Sequence, residues 1–115
     1  MDTVPQALSF SKAWEAFELA ARVEGRPRKT LVAYRYVLGS FKRWLGVREL
    51  CQVNANLLRA YITHLQERLR PASVHHHFRG LHAFLSFLRR EGLLTPNPIA
   101  QIRAPKLGEH FPEVS

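Results

Sequence analysis

Cysteine occurs only once in this sequence, as Cys51, so the chain can close no internal disulfide, and no Cys or His stands beside it at zinc-ligand spacing. A lone thiol of this kind reads as a half-buried structural residue. Acids are scarce as well: nine Asp and Glu face seventeen Lys and Arg, a formal net charge of +8. That excess argues against a small neutral ligand and favours nucleic acid or an anionic membrane surface. No apolar run approaches the roughly 20 residues needed to span a bilayer, and the amphipathic segments read as mutually buried, which disfavours the membrane. The opening Met1-Asp2-Thr3-Val4-Pro5 has no basic stretch followed by an apolar one, so a cytoplasmic chain without a cleaved signal is expected. A Walker A motif, a glycine-rich phosphate loop and paired carboxylates in a plausible cleft are all missing. Cys51, Tyr34, Tyr36 and Tyr61 are the candidate nucleophiles, and none has a convincing base and orienting acid around it. The expectation is a binding domain with no catalytic residue, cofactor or small-molecule ligand.

What is present suits one helical domain. With 115 residues, 46% hydrophobic and 23% charged, the chain can bury roughly 65% of its unfolded surface. Nothing reads as a strand pair with a hairpin turn, so the expected class is all-α. A first helix over residues 9–24 places Phe10, Ala13, Trp14, Phe17, Ala20 and Ala21 on one face, with Ser9 or Ser11 as its cap and Gly25 as its stop. Arg26-Pro27 turns the chain into a second helix over 28–45, ended by Gly46. A connector over 47–53 leads to Asn54, which caps a third helix bearing Leu58, Ile62, Leu65 and Leu69. Pro71 and Ser73 open a fourth, where Val74, Phe78, Leu81, Leu85 and Leu88 continue the pattern until Gly92. Thr95-Pro96-Asn97-Pro98 allows at most one short turn over 99–103, so the domain spans 1–103 and an extended linker 104–115. Helices two and four share a layout at an offset of 43 residues, pairing Leu38 with Leu81 and Phe41 with Phe84, although the matches are too few to establish a repeat.

The second helix carries most of the functional signal. Tyr34, Val37, Leu38, Phe41, Trp44 and Leu45 form its apolar sector, while Arg28, Lys29, Arg35, Tyr36 and Arg43 lie opposite. A solvated face usually mixes charge signs, yet this helix contains no acid. A face of one sign repels itself, and an anionic partner is the better-motivated reason for it. On the fourth helix His75, His76, Arg79 and Arg90 point away from the apolar stripe, and His77 falls beside it as a core histidine. Three consecutive helical histidines point about 100° apart and cannot converge on one ion, so no metal site is expected.

Thr30-Leu31-Val32-Ala33-Tyr34-Arg35 with Leu38 and Phe41, then Ser73-Val74 leading to Phe78-Arg79-Gly80-Leu81-His82-Ala83-Phe84, then Asn97-Pro98-Ile99 and Pro105-Lys106, resembles the N-terminal core-binding domain of tyrosine recombinases. The resemblance, to phage integrases and Xer-like recombinases, covers about residues 8–112. It implies a four- or five-helix SAM-like bundle forming half of a clamp around duplex DNA. The other half, a catalytic domain with its tyrosine nucleophile, would begin where this sequence stops, so no tyrosine here is assigned that role. Position by position, it implies DNA contacts from Arg28, Lys29, Thr30 and Arg35, from Ser73, His75, His76 and Arg79, and from Lys106 in the linker; Tyr36 and Arg43 join them from the helix phase. Ser73 replaces a usual Thr, and the histidines stand where Asn, Arg or Lys is common. The resemblance also implies other recombinase protomers as partners in a DNA-bound tetramer. The first helix has Glu15, Glu18 and Glu24 but little base, which fits a face turned from DNA. Two other readings are a helical module whose basic surface meets an acidic protein, and a stand-alone DNA-binding regulator. The last is disfavoured because no two helices read as joined by a three- or four-residue turn with a compact recognition helix after it.

Overall fold

The computed structural model describes residues 9–94, 100 and 102–105. Four α-helices follow one another: α1 (Phe10–Val23), α2 (Arg28–Leu45), α3 (Ala55–Gln66) and α4 (Pro71–Arg90). No strand occurs among the described residues. Local chemistry sets several boundaries. The Ser9 side chain accepts from the Lys12 backbone N–H at 3.1 Å and starts α1. The Asn54 side chain accepts from the Leu57 N–H at 2.8 Å and starts α3. Gly46 stops α2 at φ 64°, a backbone conformation that a side chain would strain.

α4 packs against each of the other three helices and is the central element. Aromatic rings link all four. Phe84 of α4 meets Phe10 and Phe17 of α1 at 5.3 and 5.4 Å, and Phe41 of α2 meets Tyr61 of α3 at 5.0 Å. The Tyr61 hydroxyl, carried fully into the core, shares a hydrogen bond of 2.9 Å with Ser40 of α2. Burial pushes this phenol up in pKa against that bond, so it stays protonated. Gly80 lets α2 and α4 approach closely: a Cβ there would lie 2.8 Å from Val37 Cγ1. Gly39 has no such neighbour, since its Cβ would meet Arg43 and Trp14 at ordinary contact distances of 3.6 and 3.7 Å.

Several details depart from the sequence reading. The connector contains a 3-10 turn, Leu50–Gln52, in which Leu50 is buried together with Val53 just after it; Cys51 between them is therefore exposed rather than half-buried. Tyr34 is only half-buried, at the rim of the core with its ring 4.9 Å from Phe17. The connections from α1 to α2 and from α3 to α4 are four residues each, 24–27 and 67–70. The helices they lead into have 18 and 20 residues, so neither is a compact recognition helix. Of the expected turn at 99–103, residues 99 and 101 lie outside the described residues, as does Lys106. Pro105 lies within them and lines a small cleft with Gln66, Leu69, Pro71 and Val74 at the α3–α4 corner.

Candidate nucleic-acid interface

The two helices singled out by their charge begin differently from the other two. Pro27 precedes α2 and Arg70 precedes α4, and neither supplies a side-chain hydrogen bond to the first turn. As in α1 and α3, neither first turn contains an acid. The exposed N–H groups and the positive end of the helix dipole are left for an outside acceptor, an arrangement suited to phosphate. At the start of α2 this field is reinforced by Arg28 and Lys29, both exposed, with Thr30 half-buried behind them. Arg35, Tyr36 and Arg43 continue along the exposed side. From Arg28 to Arg43 the helix rises about 22 Å, comfortably more than the roughly 12 Å width of a DNA major groove.

Two grooves flank α2. On the α4 side, Tyr36 joins Leu69, Ala72, Ser73, His76 and His77 around a groove of about 230 Å³. This brings together Tyr36, Ser73 and His76 from the expected contact set. Tyr36 is 61% exposed, and its ring lies 5.6 Å from that of His77. His77 is 3% exposed, with its Nδ1 buried and without a hydrogen-bond partner. Burial, and then the neighbouring His76, hold its pKa below the ordinary imidazole value, so the neutral ring is favoured. His77 therefore belongs to the core side of the groove, as its phase implied. His76 and Arg79 are exposed and His75 is half-buried.

On the α1 side, a groove of about 430 Å³ is lined by Arg22, Arg26, Arg28, Leu31, Val32 and Arg35. Here the structure places Arg28 and Arg35 with two arginines that the helix wheel of α2 could not include. Arg22 sits in the last turn of α1 and Arg26 in the corner; only the antiparallel return of the chain joins them to α2. The Arg26-Pro27-Arg28 sequence was the available hint. Two acids also meet this basic surface, Glu18 of α1 and Glu24 just past its end. Glu18 accepts from Arg35 Nε, and Glu24 accepts from Arg26 Nε at 3.4 Å. One cation of α2, Arg35, is thus answered from the neighbouring helix. Lys29, Thr30, Arg43, His75 and Arg79 line neither groove. Among the described residues, no group of three His, Cys, Asp or Glu could hold a metal ion.

Comparison with known proteins agrees with this architecture. Residues 17–92 match the phage integrase N-terminal SAM-like domain family. The chain belongs to that family. The tyrosine recombinase XerD of Lacticaseibacillus casei is 31% identical over 90 residues, covering 76% of this chain and 31% of that protein. The tyrosine recombinase XerC of Xanthomonas campestris pv. campestris (strain B100) is 28% identical, covering 97% of this chain and 36% of that protein. The chain therefore spans about a third of the length of these recombinases. Among solved structures, the N-terminal domain of a phage integrase/site-specific recombinase from Haloarcula marismortui superposes with a TM-score of 0.78 at 17% identity, covering 88% of this chain and all of that one. The SAM-like helical fold is common to both.

Proposed function

We propose that this domain binds duplex DNA as the core-binding part of a site-specific tyrosine recombinase, working in DNA integration and recombination. The observation that carries this reading is the matched design of α2 and α4. Both start without a side-chain cap, and both present exposed cations or imidazoles beside that start. Phosphates would approach the two starts, with Arg28, Lys29 and Thr30 on one and Ser73, His75, His76 and Arg79 on the other. Phosphate contacts would fix register, while Tyr36 and Arg43 would reach toward base edges. Lys106 would add a contact from the 104–115 linker, beyond a binding domain spanning 1–103. Cutting and rejoining of DNA belongs to a catalytic domain elsewhere in the recombinase, acting with other protomers in a DNA-bound tetramer in the cytoplasm. No helix among the described residues is long and apolar enough to cross a membrane.

The test is a salt titration of binding to a fluorescent duplex. If about five cations displace counterions, log affinity falls against log salt with a slope near −4 to −5. Arg28→Ala/Lys29→Ala is expected to flatten that slope by about 2, while the control pair Arg59→Ala/Arg68→Ala, on α3 and in the corner after it, leaves it within about 0.5. Equal effects from the two pairs would instead favour a bulk-charge surface that meets an acidic protein.

A further inference from the structure

We infer that the DNA-binding surface does not end at α2 but continues across the four-arginine groove onto the end of α1, where Arg22 and Arg26 hold the phosphodiester backbone flanking the contacted site. The inference rests on the DNA-binding reading of α2 given above.

Four guanidinium groups around one groove of about 430 Å³ need an explanation, because like charges brought together oppose folding. Arg22 by itself has an ordinary one: a cation in the last turn of a helix interacts favourably with the helix dipole. That account does not extend to Arg26 and Arg28, which stand in the corner and at the opposite pole of the next helix, where a positive side chain meets the positive end of the dipole. The carboxylates answer only two of the four arginines. Glu18 and Glu24 engage Arg35 and Arg26 but do not line the groove, and neither Arg22 nor Arg28 has an ion pair among the described residues. The two carboxylates also hold their arginines in place, which lowers the ordering cost when an anion arrives.

The shape also selects the ligand. Leu31 and Val32 line the groove between the arginines. An open trough with cations along it suits a continuous polyanion better than a single small one, and guanidinium forks pair bidentately with phosphate oxygens. Since Arg28 belongs both to this groove and to the start of α2, a strand that contacts α2 leads directly toward Arg26 and Arg22.

Arg22→Gln/Arg26→Gln removes both charges and leaves a shorter but still polar side chain at each position. In the same salt titration the double variant should flatten the slope by about 2, equivalent to two phosphates no longer neutralised. Phosphate ethylation interference on that duplex should lose one or two sensitive phosphates at the edge of the site. Melting curves of each variant establish that the fold is kept. If Arg28→Ala/Lys29→Ala flattens the slope but Arg22→Gln/Arg26→Gln behaves like the Arg59/Arg68 control pair, the groove is not part of the interface and the inference fails while DNA binding by α2 stands. If neither pair departs from the control, DNA binding by α2 fails and this inference with it.

Discussion

α1 and α3 each begin on a side chain that satisfies a first-turn N–H, Ser9 in one and Asn54 in the other, whereas α2 and α4 begin on Pro27 and Arg70, which cap nothing. The difference separates two ways of fixing a helix. A capped helix has its start written locally, so its boundary can be read from a few residues. An uncapped helix relies on tertiary packing, and its exposed first turn remains available to a ligand. In this domain the uncapped pair is also the pair that packs most tightly together, through Val37 and Gly80.

Disturbing that contact should have the largest effect. Gly80→Ala brings a methyl group to 2.8 Å from Val37 Cγ1, on a β-branched side chain that is stiff in a helix. Overpacking of this kind costs about 1–3 kcal/mol, and improved helix propensity returns about 1 kcal/mol. A net loss of about 1–2 kcal/mol is expected in urea unfolding. Adding Val37→Ala should relieve part of it, giving a non-additive double-mutant cycle. Strict additivity would mean that the two helices do not meet through this pair.

The capped helices supply the next effect. Asn54→Ala removes the acceptor for the Leu57 N–H and should cost about 1 kcal/mol without altering the duplex salt slope. Arg70→Ala at the equivalent position of α4 removes no cap and should stay within about 0.5 kcal/mol in stability. A comparable stability loss from both would erase the distinction between the helix pairs.

The same distinction explains what the sequence made legible. The bounds of α2, the Asn54 cap and the Pro71 start follow from local signals and correspond to the observed helices. The leucines and phenylalanines paired at the 43-residue offset, Leu38 with Leu81 and Phe41 with Phe84, are all fully buried. A helix wheel assigns an inner and an outer face but not the neighbour across the gap. It therefore missed Glu18 on Arg35, the company of Arg22 and Arg26, and the burial of Tyr61 against Ser40. Cys51 was misjudged because a 3-10 turn, unlike an α-helix, gives little periodicity by which to tell its inner residues from its outer ones. The role of Gly80 depends on an approach between helices that only the packed fold reveals, and the same holds for the absence of that role at Gly39.

The smallest effect concerns pH and the uncapped start of α4. Without a cap, the first two turns rest on the burial of Val74, His77 and Phe78 and on the Tyr36 ring. His77 has a folded-state pKa lowered mainly by burial, so the unfolded chain, with an imidazole near 6.5, binds its proton more readily. Its contribution to stability is therefore complete above about pH 6.5 and is lost as pH falls from there toward the lower folded value. His77→Phe keeps a ring beside Tyr36 and removes the titration. Other histidines and the carboxylates titrate in both proteins, so the informative quantity is the difference in unfolding free energy between variant and wild type, taken at pH 7.5 and again at pH 5.5. That difference should move in favour of the variant as pH falls. Parallel curves would mean that protonated His77 is accommodated without loss, and that the start of α4 is held by Val74 and Phe78 alone.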